Sequence, residues 1–283
     1  MISGMTTPHL TTHPSIDIAF IGGGNMATAI IGGLLRQGRP AGSILVIDPV
    51  TEQRARLHSQ LGVQTAAGPL PTLQQASTVV WAVKPQQFKD AAQTYAPLCA
   101  CALHYSVMAG LRTDDMARLL NTKRIVRAMP NTPALVGQGM TGLYARPEVT
   151  APERADIEAM VAPTGQSLWV TQEADLDAVT ALSGSGPAYV FFFIEAMMQA
   201  AQDMGLSAEQ GRQLALATFG GATALASQSS DTPAVLREKV TSKGGTTYAA
   251  LTHLQAAGVK DAFIAAMRAA QHRAGELGDE FGR

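Results

Sequence analysis

Cysteine is almost missing from this 283-residue chain: Cys99 and Cys101 are the only two. They stand too close together for an ordinary structural disulfide framework, and without a second pair they make a poor zinc site. They read as reduced thiols at the end of an alanine-rich helix. Histidine is sparse and scattered. His9 and His13 fall in the N-terminal segment, His58 and His272 on helix surfaces, His104 in a strand and His253 in a late helix, so no metal-binding pair with carboxylate support emerges. No Gly-x-Ser-x-Gly elbow precedes a triad, and Gly184-Ser185-Gly186 does not fit one.

Charge is also scarce. Charged residues make up 15% and nearly cancel to −1, which argues against a nucleic-acid partner or an anionic membrane surface. The densest basic cluster, Lys123-Arg124 with Arg127, reads as ordinary strand flanks. No run of 18 uncharged apolar residues occurs, and the most hydrophobic stretch, Tyr189–Met198, is interrupted by Glu195. Residues 1–15 are polar, carry Pro8 and Pro14, and lack the apolar segment of a signal peptide. The expectation is a soluble cytoplasmic protein with a flexible extension at 1–15.

The hydrophobic content of 46% suffices for a sizeable core, and the length suits two domains. The front half alternates between short apolar runs and helical patterns. Runs at Ile16–Ile21, Ile44–Ile47, Thr78–Val83, His104–Val107 and Arg124–Ala128 enclose helices at Met26–Leu35, Thr51–Gln60, Gln86–Tyr95 and Thr113–Leu120. This alternation predicts a doubly wound α/β domain with a parallel sheet covered on both faces. Met140–Ala145 and Ser167–Val170 are expected as extra strands at its far edge.

After about Leu182 only helices are expected: Pro187–Met204, Ser207–Ser227, Pro233–Lys239, Thr246–Gln255 and Val259–Leu277. The domains are therefore placed at 16–172, binding a dinucleotide, and 173–283, all helical. Tyr189, Phe191, Phe192, Phe193, Ile194, Met197 and Met198 point all round the first of these helices, so no single face hides them. A second subunit is expected to cover part of them, giving a homodimer.

Two glycine-rich stretches carry the chemistry. Gly22-Gly23-Gly24-Asn25-Met26-Ala27 follows a strand and opens a helix, matching G-x-G-x-x-(G/A). In that motif Gly22 makes the tight turn, Gly24 admits a pyrophosphate, and Ala27 allows close helix–strand packing. Asp48 ends the second run where an acid accepts from adenosine ribose hydroxyls, a geometry that favours NAD(H). Arg54 and Arg56 offset this if they turn toward the site, but they read first as solvated helix charges, so NADPH and NADH both stay open. Val83-Lys84-Pro85 ends the third run at the strand's carboxyl edge. Lys84 there is a nicotinamide-ribose contact, a substrate contact or a plain surface lysine. Met129-Pro130-Asn131-Thr132-Pro133 ends another strand on the same edge, and either walls the nicotinamide pocket or simply turns the chain.

The second stretch is Ser242-Lys243-Gly244-Gly245-Thr246-Thr247, running into a helix. Its glycines permit close approach, and the free amides of a helix start attract a small anion. A nucleotide site in front and a carboxylate site behind read as a small-acid oxidoreductase.

Taken in order, Ile21-Gly22-Gly23-Gly24-Asn25-Met26, Ala82-Val83-Lys84-Pro85, Arg127–Pro133, Gly184-Ser185-Gly186-Pro187-Ala188-Tyr189 and Gly244-Gly245-Thr246-Thr247 resemble the pyrroline-5-carboxylate reductase family across roughly residues 16–275. The resemblance implies a Rossmann-type domain joined to a helical dimerisation domain, with dimers often assembled into larger rings. It also implies reduction of 1-pyrroline-5-carboxylate to L-proline by NADPH or NADH. Carried over by position, Thr247 hydrogen-bonds the ring nitrogen, Ser242 and the amides of Gly245 and Thr246 hold the carboxylate, and Val83-Lys84 and Met129-Pro130 border the nicotinamide. Two positions depart from the family pattern: Lys243 replaces a frequent proline, and Ala27 a frequent glycine.

The nearest rival is a β-hydroxyacid dehydrogenase, which needs a lysine on the helix after its Gly-x-Gly segment. Here Pro187, Ala188, Tyr189 and Val190 follow Gly186, and no lysine occurs through Gln199. Another imine reductase of similar architecture is a second alternative. A non-catalytic dinucleotide sensor has no need of the cradle at 242–247.

Overall fold

The computed structural model describes residues 15–282. The expected extension at 1–15 therefore lies, apart from Ser15, outside the described residues, as do His9 and His13. The chain forms two compact units. One runs to Gly184 and takes back the chain from Ala274 onward; the other is Ser185–Arg273. The boundary expected after residue 172 falls between the last strand and the helix that follows it.

The first unit is built on eight strands: β1 (Ile18–Ile21), β2 (Ile44–Ile47), β3 (Gln64–Ala66), β4 (Thr78–Trp81), β5 (Leu103–Ser106), β6 (Ile125–Met129), β7 (Gly139–Ala145) and β8 (Gly165–Trp169). Their spatial order is β3-β2-β1-β4-β5-β6-β7-β8. Ile18 pairs with both Ile44 and Thr78, so β1 and β4 lie side by side where the winding direction reverses. β1 and β2 are buried at every position, as expected of parallel strands covered on both faces.

Alternate side chains feed two separate cores. Ile18, Phe20, Val46, Val80 and Tyr105 pack under α1 (Asn25–Arg36) together with Leu57 of α2 (Thr51–Leu61). Ala19, Ile21, Leu45, Ile47 and Trp81 pack under α3 (Phe88–Tyr95) and α4 (Thr113–Leu120).

Three features depart from the sequence expectation. β3 is a three-residue edge strand, half-exposed and too short to show a pattern. α5 (Ala151–Val161) went unread, although Thr150 and Glu153 form a reciprocal capping box at its start and Pro152 sits in its first turn. Its Ile157, Met160 and Val161 close the first core. The sheet is also not wholly parallel: β7 runs antiparallel to β6, because the short link at 130–138 reverses the chain without room for a crossover.

After β8, α6 (Asp175–Val179) runs into a π-helical turn at Thr180–Gly184. The second unit is all helical: α7 (Gly186–Asp203), α8 (Ala208–Gln228), α9 (Pro233–Lys239), α10 (Thr246–Ala256) and most of α11 (Val259–Phe281). Pro187 opens α7, Ser207 and Gln210 cap α8 reciprocally, and Thr232 caps α9. Tyr189 and Phe193 meet Phe263 edge-on at 5.7 and 5.6 Å. Phe191 and Phe192, on the other side of α7, remain 58% and 66% exposed. Among the described residues no helix is long and apolar enough to cross a membrane.

Candidate functional site

The turn after β1 is shaped by contacts that only glycine allows. Gly22 has φ +98°, and a Cβ there would lie 2.6 Å from the Ala82 carbonyl oxygen at the end of β4. Gly23 is equally restricted, since a Cβ would lie 2.6 Å from Leu57 Cδ1. Gly24 differs. A Cβ there would meet nothing within 4 Å, and its extended backbone begins α1 without a side-chain cap. The first amides of α1 therefore face open space across an exposed glycine, a cradle that fits a dinucleotide pyrophosphate. Asn25 is exposed beside it, Met26 is half-buried, and Ala27 is fully buried against the sheet.

At the end of β2, Asp48 points inward. Its Oδ2 accepts from Gly23 N at 2.8 Å and its Oδ1 from Val50 N at 2.9 Å, so the carboxylate braces the glycine turn. Gln53 adds a second brace by donating to the Gly23 carbonyl. Arg54 is not the solvated helix charge expected of it. Its Nη1 donates to the carbonyls of Asp48 and Pro49, both at 2.8 Å, and its Nη2 to Thr51 Oγ1 at 3.1 Å. Sequence reasoning passed over Gly23 and Gln53, although Gly23 sits inside the motif that was singled out.

The two strand-end loops lie on the same carboxyl edge. Val83 is half-buried against the second core, Lys84 is exposed, and Pro85 opens a short 3₁₀ turn. After β6, Met129 is half-buried and Pro130 buried. Asn131 both turns the chain and fastens it. Its Nδ2 donates to the Ser183 carbonyl and hydroxyl oxygens, and its Oδ1 accepts from Met140 N. Gly184 leaves space for the Met129 methyl, which lies 2.3 Å from where a Cβ would stand.

Arg127, read as a strand flank, is instead buried in β6 and paired with Glu173 at 3.0 Å. The same carboxylate accepts from Thr113 N at 2.7 Å and Thr113 Oγ1 at 2.6 Å, capping α4. Nothing local announces a partner 46 residues away.

In the second unit, Gly244 takes φ +75° and Gly245 N donates to the Ser242 carbonyl at 3.0 Å. Gly245 begins α10 without a side-chain cap. A Cβ there would lie 2.5 Å from Ser242 Oγ, so the hydroxyl rests directly over the glycine. The loop thus gathers the Ser242 hydroxyl, uncapped amides and the half-buried Thr247 at one helix start, while Lys243 and Thr246 are exposed. Such a start stabilises a carboxylate through the unpaired N–H groups and the helix dipole. The dinucleotide turn and this loop belong to different compact units. Among the described residues no group of three His, Cys, Asp or Glu side chains could hold a metal ion.

Two family models match the chain. Residues 173–277 match pyrroline-5-carboxylate reductase dimerisation, and residues 17–110 match NADP oxidoreductase coenzyme F420-dependent. Pyrroline-5-carboxylate reductase of Pseudomonas aeruginosa is 42% identical over 94% of this chain and 98% of its own length. That of Haemophilus influenzae is 41% identical over 92% and 97%. Among solved structures, a pyrroline-5-carboxylate reductase from Coxiella burnetii superposes with a TM-score of 0.87 at 36% identity, covering 93% of this chain and 98% of that one. The Plasmodium falciparum pyrroline carboxylate reductase with NADP bound gives 0.84 at 26% identity, covering 93% and 98%.

Proposed function

This chain belongs to the pyrroline-5-carboxylate reductase family, and we propose that it reduces the ring C=N of 1-pyrroline-5-carboxylate to L-proline with NADPH or NADH. The bound nicotinamide supplies a hydride to the imine carbon; the remaining work falls to residues of this chain. The amides after Gly24 hold the pyrophosphate, with Gly22 and Gly23 bringing the backbone close and Asp48 fixing the turn. Val83-Lys84-Pro85 and Met129-Pro130 border the nicotinamide.

Ser242 and the amide at Thr246 grip the substrate carboxylate; the Gly245 amide, expected to join them, is instead taken by the Ser242 carbonyl at 3.0 Å, with Gly244 giving the loop its left-handed bend. Thr247 donates a hydrogen bond to the ring nitrogen and orients the proton that solvent ultimately delivers. As the hydride reaches carbon and the proton nitrogen, the C=N double bond becomes a C–N single bond. A cyclic imine whose nitrogen shares a proton through such a hydrogen bond is electrophilic enough for hydride attack, so positioning and a donor suffice, and no strong base is needed. The uncapped start of α10, with the Ser242 hydroxyl over Gly245, carries this reading.

The functional division adopted is 16–172 for the dinucleotide and 173–283 for dimerisation and substrate. The family models, which begin at residues 17 and 173, support it. A homodimer joined through the helical part would cover Phe191 and Phe192, and dimers would assemble further into a ring. The enzyme is assigned to the cytoplasm, with no nucleic-acid or membrane partner.

Steady-state oxidation of NADPH and NADH with 1-pyrroline-5-carboxylate, with L-proline identified as product, tests the assignment. No turnover with either cofactor would overturn it, and turnover of hydroxy acids alone would transfer it to the dehydrogenase rival.

A further inference from the structure

β5 lies between β4 and β6 and runs parallel to both. The link from β5 to α4, residues 107–112, therefore stands between Val83-Lys84-Pro85 and Met129-Pro130, the two strand ends proposed to border the nicotinamide. Its inner side is fixed by Met108 and Leu111, both buried in the second core, and Val107 N donates to the Trp81 carbonyl at 3.1 Å. Its other side is covered by the end of the chain. Gly110 is buried with φ +76°, and a Cβ there would lie 2.9 Å from Phe281 Cδ2 and 3.1 Å from Leu277 Cβ.

This last stretch of α11 belongs to the same compact unit as the link, and several contacts seat it there. Gly278 makes room for Arg112, whose Nε lies 2.8 Å from where a Cβ would stand. Arg112 Nη2 pairs with Asp279 at 2.9 Å and reaches the Gly275 carbonyl at 3.4 Å. Arg118 Nη2 donates to the Gly282 carbonyl at 3.1 Å. Phe281 also walls a cleft of about 340 Å³ together with Pro85 and Leu111. One aromatic side chain thus meets the β5 link directly and faces the β4 link across that cleft.

We propose that Phe281, supported by Leu277, is a positioning residue for hydride transfer. It presses the link at 107–112 into place, and that link in turn sets the two strand ends beside the nicotinamide. Gly110 has no side chain with which to anchor itself, so its backbone stays put only while the ring covers it. Removing the ring leaves a void into which the neighbouring chain relaxes. A shift of about 1 Å in a supporting element is enough to cost ~100-fold in rate when reacting atoms must be aligned. The proposal rests on the assigned reaction and on Val83–Pro85 and Met129-Pro130 bordering the nicotinamide.

The test compares the full-length Phe281→Ala and Phe281→Leu variants with wild type. With 1-pyrroline-5-carboxylate and the cofactor that supports turnover, Phe281→Ala should lower kcat ~10- to 100-fold. Phe281→Leu, which keeps an apolar cover on Gly110, should recover most of the loss. Calorimetry with ADP-ribose or 2′-phospho-ADP-ribose, dinucleotide probes that lack the nicotinamide, should give wild-type affinity for both variants. Thermal melts establish that each is folded. Should Phe281→Ala not fold, Arg112→Gln releases the same helix end at an exposed position and should show the same split more weakly.

Wild-type kcat in folded Phe281→Ala would overturn the proposal, as would parallel loss of kcat and probe affinity, which marks a general loosening of the unit. Where Phe281→Ala does not fold, wild-type kcat in Arg112→Gln would do the same. No turnover by the wild type would overturn the assigned reaction and this proposal with it, whereas wild-type turnover that Phe281→Ala leaves intact would overturn this proposal alone.

Discussion

Asn131 fastens the turn after β6 to Ser183 through both oxygens of that residue: its Nδ2 donates to the carbonyl at 3.2 Å and to the hydroxyl at 3.1 Å. Its Oδ1 meanwhile accepts from Met140 N at 2.9 Å, so the whole carboxamide is engaged. The loop proposed to border the nicotinamide is thereby tied to the π-helical turn that ends at Gly184, and to β7. Inserted π turns are frequent at functional sites, and this one lies where the first compact unit gives way to the second.

Asn131→Ala should destabilise the protein by about 1–3 kcal/mol, because Met140 N and Ser183 lose their partner together. Ser183→Ala should cost less than about 1 kcal/mol, since the Ser183 carbonyl still accepts from Asn131. Urea unfolding of the two variants compares them directly. Equal losses would show that the carboxamide is not the fastening.

Gly22 and Gly24 should respond in opposite ways. Gly22→Ala forces a left-handed φ and a 2.6 Å contact with backbone, so the folded protein should be lost or strongly destabilised. Gly24→Ala meets open space at φ −66° and should leave stability within about 0.5 kcal/mol of wild type. Its methyl group instead enters the space where the pyrophosphate approaches, so cofactor binding should weaken. Thermal melts with and without NADPH separate the two effects; unchanged NADPH binding by Gly24→Ala would contradict the cradle.

Thr247→Ala should lower turnover ~10- to 100-fold, the lower range of a proton-donor contribution, and Thr247→Ser should restore most of it. Steady-state kinetics decide the matter, and wild-type turnover by the alanine variant would remove Thr247 from the mechanism.

His104 lies fully buried in β5, stacked on Trp81 and accepting from its indole N–H at 2.9 Å. Burial pulls its pKa down to about 4, and the Arg124 charge pushes the same way. The unfolded chain thus takes up a proton near pH 6.5 that the folded chain refuses until about 4. Stability is complete above the upper value and falls as pH drops through the window. Between pH 7.5 and 5 this amounts to about 2 kcal/mol. Urea unfolding at both pH values should show that this share of the pH dependence is missing from His104→Gln; an unchanged dependence would rule it out.

Tyr105, on the same strand, buries its hydroxyl with no partner among the described residues. Tyr105→Phe should therefore leave stability unchanged or raise it by up to about 1 kcal/mol. A clear loss in chemical denaturation would mean that the hydroxyl has a hydrogen bond after all.

Much of this architecture was legible because its signals are local. Continuous apolar runs at Ile18–Ile21 and Ile44–Ile47 announced strands buried on both faces, and Gly22–Ala27 announced the turn between β1 and α1. The helix start after 242–245 could be read because two glycines followed by a helical pattern are visible in order along the chain. α5 shows the limit of the same approach. Its capping box was present at Thr150 and Glu153, but its alanine-rich, charged surface hid the apolar stripe of Ile157, Met160 and Val161.

From its residue order alone, this chain set its alternating strands and helices, the left-handed bends at Gly22 and Gly244, and the uncapped helix starts that attract anions. Each depends only on neighbours a few residues apart. Tertiary structure decided which polar groups are occupied: Asp48 with Gly23, Arg54 with the β2 carbonyls, Arg127 with Glu173, Asn131 with Ser183. A side chain's charge is written in the sequence, but what neutralises it or leaves it open depends on which distant backbone the fold brings within hydrogen-bonding distance.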